Sequence, residues 1–382
     1  MAGRAKKIKK PGASPAPGVP PAAQPPDAEF APLRQAIDAL DSQIVRLINE
    51  RAAKAVEIGR IKARRGTPPY NPSREIQVYQ KVAERNTGPL SAEAIQAIYR
   101  EIMSATIALE RPTRVAFVGP PGTCTHLAAR TKFGASVEYR PKRDIPAVFR
   151  AVAQGRVDYG LAPLEDSSDG NVSEVLDMFV RTHLKICSEL YVPIHHHLLC
   201  RGALRGIHII YSRPQQLAQC RNWLLANLPR VRCCEVRDTA EAAQLAAADA
   251  HTALIGGTLL AELYDLPVAA KSIEDSGEKA TRFIVLAKHM AARTGKDKTS
   301  LLLASRDKPG DLLHLIQPFF KHGLNLTRID SRPSAQRPGE YNSCIDLEGH
   351  VDDPPVQATL KNLEGCATHL EVLGSYPTVE GL

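Results

Sequence analysis

The stretch APLRQAIDALDSQIVRLINERAAKAVEIGRIKAR, residues 31–64, decides how the N-terminal part of the chain must fold. Apolar side chains recur at Leu33, Ile37, Leu40, Ile44, Leu47, Ile48, Val56, Ile58 and Ile61, which is the spacing of one helix face. After Pro32 no proline or glycine interrupts before Gly59. The pattern therefore predicts one helix about 50 Å long, at 1.5 Å rise per residue. GTPPYNP (66–72) breaks it, helical spacing resumes over 73–85 and 91–110, and Pro112 closes the segment. Three helices cannot cover so long a seam alone, so a second copy is implied.

From Arg114 the texture changes. RVAFVG, VDYGLAPLE, IHIIYS, VRCCEV and TALIGG read as strands; DIPAVFRAVAQG, NVSEVLDMFV, PQQLAQCRNWLLANL and TAEAAQLAAAD read as helices. This is an α/β layer pattern, expected to form two lobes with a mostly parallel sheet and crossovers near LYVPIHHHLLC and Ile273. After the polar ARTGKDK (292–298), TSLLLASR to LEVLGSYP spell strand, helix, strand, strand, helix, strand, the α+β split pattern of ferredoxin-like units. The expected domains are a helical one over 30–112, a two-lobed α/β one over 113–291 and a ferredoxin-like one over 298–378. Residues 1–29, rich in Lys, Pro and Ala, read as a disordered leader with nothing to bury.

The 382 residues, 43% of them apolar, suit a multidomain globular protein. The net charge of +8 owes much to Arg4, Lys6, Lys7, Lys9 and Lys10. No aromatic residues are interleaved with that block, so nucleic acid is not an expected partner. No apolar h-region follows it and no run is long enough for a membrane span, which points to the cytoplasm. Eight cysteines without a CxxC pair read as reduced thiols. HHH at 195–197 lacks a nearby acidic ligand and alternates faces in a strand, so it reads as structural, with no metal or other cofactor expected.

On the long helix Arg51 and Lys62 fall within about 20° of one face, about 16 Å apart along the axis. Arg34 lies too far from Lys62 to join it in the same copy. In an antiparallel pair of helices about a two-fold near residue 45, Arg34 arrives beside residue 56 of the partner, between those two cations. The competing interpretation is that all three are solvated charges on an amphipathic helix.

PLRQAIDALDSQIVRLINERAAKAVEIGRIKARRGTPPYNPSREIQVY (32–79) resembles the all-helical chorismate mutases of the bacterial bifunctional type. The resemblance implies a dimer with shared sites, in which Arg34 comes from the partner and Arg51, Lys62, Arg74, Glu75 and Glu110 complete the set. Such a site compresses a dicarboxylate into a reactive chair and stabilises charge developing on its ether oxygen. Glu110 must be protonated to donate there, which burial can arrange.

The middle region is similar to prephenate dehydratase in four motifs: VGPPGTCTHLAA, VDYGLAPLEDSSDGNVSEVLD, YSRPQQLAQCRNWL and ATRFIVLA. The resemblance implies Thr281 as the hydroxyl-side donor, Arg282 as a carboxylate anchor and Phe283 as a wall, with Thr123, Ser167, Ser168, Ser212 and Gln219 binding substrate. Where the family has Asn-Ser-Thr, this chain has Asp166, Ser167 and Ser168, and Cys124 and Thr125 replace a usual aromatic and Ser. The C-terminal region resembles an ACT regulatory domain, implying phenylalanine as effector at Gly310, Leu312, Ser331 and Arg332, with Asp311 and Asp330 as departures.

The whole is thus expected to be a bifunctional chorismate mutase/prephenate dehydratase with a C-terminal ACT domain, a homodimer or tetramer acting on chorismate and prephenate. Two alternatives remain at this level: a mutase whose second domain has turned to arogenate or lost activity, as Asp166 hints, and a non-catalytic amino-acid sensor.

Overall fold

The computed structural model describes residues 30–379 apart from 69, 167–169, 172, 237–238, 277–279, 335–336 and 338. They fall into two compact units, one ending at Lys54 and one running from Ala55 onward. The long helix, α1 (Ala31–Arg64), supplies the first unit, where Leu33, Ile37, Leu40, Ile44 and Leu47 are each at least 50% exposed. An apolar stripe of this length in water marks an interaction face.

In the second unit α2 (Pro72–Arg85) and α3 (Ala92–Glu110) start where their sequences demand. The Asn71 and Ser91 side chains accept from the N–H groups of Arg74 and Ala94, and Pro72 fills the first turn. An α/β region follows: β1 (Arg114–Val118), α4 (Cys124–Phe133), β2 (Glu138–Lys142), α5 (Ile145–Ala153), β3 (Tyr159–Asp166), β4 (Gly170–Asn171), α6 (Ser173–Arg181) and β5 (Lys185–Pro193). The chain then crosses through 194–196 to β6 (His197–Leu199), β7 (Ile209–Ser212), α7 (Pro214–Gln219), α8 (Arg221–Asn227), β8 (Arg232–Glu235), α9 (Thr239–Ala248), β9 (Thr252–Gly256), α10 (Thr258–Tyr264) and β10 (Val268–Ala270). It returns as β11 (Ala280–Ala287).

Two sheets result, ordered β2-β1-β3-β11-β5, with β4 on β3, and β10-β6-β9-β7-β8. The crossovers lie where the sequence suggests, but the sheets are mixed rather than mostly parallel. β1 runs parallel to β2 and β3, and β7 to β8 and β9, whereas β11 is antiparallel to both β3 and β5. The strand that returns from the second sheet enters from the opposite end, which reverses its direction.

The C-terminal elements β12 (Asp297–Arg306), α11 (Asp311–Lys321), β13 (Leu326–Pro333), β14 (Glu340–Glu348), α12 (Pro354–Leu363) and β15 (His369–Pro377) make a four-stranded antiparallel sheet ordered β13-β14-β12-β15. This sheet is not tethered loosely. One continuous core holds Phe149, Phe179 and Ile284 of the α/β region together with Leu302, Cys344, Leu373 and Tyr376. At Gly374 on β15 a Cβ would sit 2.1 Å from the carbonyl oxygen of Ile186 on β5, so only glycine permits this backbone approach.

Candidate active sites

One cavity draws its walls from both α/β sheets. Thr281, at the start of β11, pairs across the ladder with Asp166 and Val192, and its side chain lines this cavity. Thr123 lines it too, as the N-cap of α4: it accepts from the His126 N–H and donates to the Pro120 carbonyl. Gln219 stands on the facing helix α7, its Oε1 2.6 Å from His196 Nε2. Leu127, Ile194, Leu259 and Leu260 provide apolar wall.

Charge enters this cavity at Arg213, His195 and Glu274. The Glu274 side chain is only 3% exposed; it meets His195 Nδ1 at 2.8 Å and accepts from the backbone N–H of His196. Burial pushes its carboxyl up, but these hydrogen bonds outweigh burial and hold it below the usual carboxylate range.

Three residues expected here lie elsewhere. Arg282, one step along the strand from Thr281, points to the opposite side and is buried among Glu189, Asp346 and Tyr376: Nε donates to Glu189 at 2.9 Å, Nη1 to Asp346 at 2.6 Å and Nη2 to the Tyr376 hydroxyl at 3.1 Å. Lys298 also donates to Glu189, at 2.8 Å. Burial alone would depress the guanidinium pKa, but Tyr376, Asp346 and Glu189 outweigh burial and raise it. Strand alternation aims Arg282 at the C-terminal sheet, away from the cavity that Thr281 lines. Phe283 is wholly buried in the core with Phe117, Tyr159 and Leu161 and forms no cavity wall. Ser212 is buried and donates to Gln216, which lines the cavity in its place. Ser167 and Ser168 lie outside the described residues. Arg213 stands in the same stretch, YSRPQQLAQC, between Ser212 and Gln219, and is its charged residue at the cavity.

A second cavity, inside the unit that begins at Ala55, is lined by Gly59, Lys62 and Glu110 together with Arg114 and Lys288. Burial raises the Glu110 carboxyl, and the ammonium of Lys62 opposes but does not cancel that shift. Gly59 makes room for it: a Cβ there would lie 2.6 Å from Glu110 Cγ and Cδ. The sequence carries this signal as a lone glycine inside a strongly helical run, which costs about 1 kcal/mol against alanine and calls for a packing reason.

Glu75 does not join this group. Its buried carboxylate accepts from Lys132 Nζ at 2.7 Å and from the Tyr70 hydroxyl at 2.8 Å, binding α2 to α4. A buried acid takes the nearest buried cation, and α4 supplies it. Arg74 is exposed and donates to Gln77. In the first unit Arg34 lies over the Phe30 ring, 5.8 Å from its centroid, and Arg51 is partly buried.

At the C-terminal sheet Gly310 caps α11 in the left-handed region, with φ of 91°. Leu312 beside it is exposed, Ser331 accepts from Ser343, and Arg332 pairs with Asp330 at 3.2 Å. No cluster of three or more His, Cys, Asp or Glu able to hold a metal occurs among the described residues. None of the helices is long and apolar enough to cross a membrane among the residues described.

A helical segment and a two-lobed α/β segment, each with a cavity, define a two-site protein. Residues 33–111 match the family model for chorismate mutase type II and residues 115–291 that for prephenate dehydratase. The chain is 42% identical over 354 residues to a bifunctional chorismate mutase/prephenate dehydratase of Aquifex aeolicus, covering 91% of this chain and 98% of that one. It is 41% identical to the protein of the same name from Pseudomonas aeruginosa, covering 90% and 96%. Among solved structures, prephenate dehydratase from Arthrobacter aurescens, in complex with L-Phe, matches at a TM-score of 0.64 and 32% identity over 70% of this chain and 90% of that one. The chain belongs to the bifunctional chorismate mutase/prephenate dehydratase family.

Proposed function

We propose that the chain catalyses two consecutive reactions, the Claisen rearrangement of chorismate to prephenate and the decarboxylating dehydration of prephenate to phenylpyruvate. The observation that carries this reading is that each family match supplies a cavity with groups its chemistry needs: Lys62 and Glu110 from the first match, Thr281 and Arg213 from the second.

The rearrangement breaks a carbon–oxygen bond as a carbon–carbon bond forms and needs no nucleophile. Its catalyst must hold two carboxylates and meet the charge that grows on the ether oxygen. Lys62 and a protonated Glu110 are suited to the oxygen, and Arg34, Arg51 and Arg74 to the carboxylates, Arg34 being contributed by a second subunit. The exposed stripe Leu33, Ile37, Leu40, Ile44 and Leu47 supports such pairing, in a homodimer or a tetramer.

Dehydration is driven by aromatisation. Thr281 serves the departing hydroxyl, with Thr123 and Gln219 beside it. Arg213 takes the role of carboxylate anchor that Arg282 is too buried to fill, and the apolar wall keeps water from the ring. The C-terminal sheet has the strand order of a ferredoxin-like ACT domain. Phenylalanine feedback through Gly310, Leu312, Ser331 and Arg332 is consistent with the L-Phe complex of the Arthrobacter relative. The site chemistry calls for no cofactor, and the setting is cytoplasmic.

The test is to assay purified protein separately with chorismate, prephenate and arogenate, following phenylpyruvate and phenylalanine. Turnover of the first two to phenylpyruvate is expected. Phenylalanine formed from arogenate, with prephenate untouched, would reassign the second site. Arg34→Ala and Lys62→Ala subunits, each inactive alone, should regain mutase activity when mixed; no recovery would remove the shared site.

A further inference from the structure

Protonating a departing hydroxyl needs a group that can give up a proton and regain it from solvent near neutral pH. An alcohol such as Thr281 can orient that hydroxyl but is far too weak an acid to be the source. The cavity that holds Thr281 also holds an imidazole built for the task. His195 lies two residues past β5, whose last residue Pro193 pairs with Ala280, the neighbour of Thr281, and both His195 and Thr281 line the one cavity. Its Nδ1 is taken by Glu274 at 2.8 Å. Nε2 makes no hydrogen bond among the described residues. The His195 side chain is 44% exposed and that of Glu274 only 3%, so an anchored acid carries a reachable ring. The other charged or titratable groups around it are Arg213, His196, His197, whose ring stacks 6.4 Å away, and Lys271 near His197.

We propose that His195, held by Glu274, is the general acid of the dehydration. The step balances as follows. The ring carboxylate of prephenate leaves as carbon dioxide, and the electron pair of that bond enters the ring. The ring carbon–oxygen bond breaks as the hydroxyl takes a proton from the His195 imidazolium and leaves as water. The neutral imidazole then regains a proton from solvent. Glu274 is the positioning residue: a buried carboxylate on Nδ1 fixes the orientation of the ring, the part an acid plays behind histidine in other enzymes.

This inference rests on the dehydratase reading, and the mutase reaction of the same chain is an internal measure of folding. The experiment compares wild type, His195→Gln and Glu274→Gln in the full chain, measuring phenylpyruvate formation from prephenate across pH and chorismate turnover in parallel. The expected result for His195→Gln is kcat for prephenate lower by about 100-fold or more, KM within a few-fold, and mutase unchanged, in line with the contribution of a positioned acid. For Glu274→Gln the loss is smaller but again falls on kcat, with KM within a few-fold and mutase unchanged, because the ring is no longer held by a buried carboxylate. Full kcat in His195→Gln, or a rise in KM with kcat intact, would overturn the proposal, the latter by making His195 a carboxylate anchor. An unchanged kcat in Glu274→Gln would overturn the positioning role. Failure of the wild type itself to convert prephenate would overturn the dehydratase reading along with it.

Discussion

Replacing Gly59 by alanine should make the protein no less stable and yet nearly abolish one of its two activities. Glycine inside a helix is about 1 kcal/mol less favourable than alanine, so the backbone gains from the change. The new methyl would lie 2.6 Å from Cγ and Cδ of Glu110 and 2.7 Å from its Oε2, distances that real Cβ contacts do not reach. The obstacle is a flexible side chain at the last residue of α3, so Glu110 swings aside at little cost to folding. It thereby leaves Lys62. A missing hydrogen-bond donor at a site of developing charge costs about 2.7–4 kcal/mol, or roughly 100- to 1,000-fold in rate. The assay is chorismate disappearance, with prephenate turnover on the same preparation as the control. Mutase activity within about threefold of wild type would refute the argument, as would a parallel fall of both activities.

Glu110→Gln should flatten the alkaline side of the mutase profile. Burial raises the Glu110 carboxyl, so its donating, protonated form is present at low pH and lost as pH rises through that raised value, whereas Gln donates throughout; an unchanged kcat profile would exclude Glu110 as donor. Arg282→Met takes the guanidinium from two fully buried carboxylates, leaving Glu189 to Lys298 and Asp346 to the Ser300 hydroxyl, and should destabilise the second unit by about 3–5 kcal/mol in urea unfolding. Leu40→Lys with Ile44→Lys should yield a smaller species in sedimentation velocity that has lost mutase but kept dehydratase activity; an unchanged sedimentation coefficient would assign the assembly to another surface.

Local pattern carried much of this structure. The period of α1, the caps Asn71 and Ser91 and the apolar run of β11 are properties of neighbouring residues, and each can be read where it stands. The errors concern side chains whose partners are remote. The dehydratase resemblance places Arg282 at the cleft with Thr281, whereas adjacent strand residues face opposite ways. What waits on the other face is supplied by Glu189 and Asp346, 93 and 64 residues away. The mutase resemblance groups Glu75 with the helical cations, but its buried partner Lys132 comes from α4, 57 residues further on. Gly59 was visible as an anomaly, whereas its reason, the Glu110 carboxylate, belongs to another helix.

β11 gives the chain a property that its succession of domains conceals. Thr281 near one end faces the dehydratase cavity, Lys288 just past the other end borders the cavity of Lys62 and Glu110, and Arg282 between them is tied into the C-terminal sheet. Eight residues therefore serve as a common beam for three regions. Recombination that swaps the C-terminal region between relatives must carry compatible partners for Arg282 on both sides of the cut. Asp346 and Tyr376 would travel with the graft while Glu189 stayed behind, and chimaeras that keep all three should outlast those that divide the set.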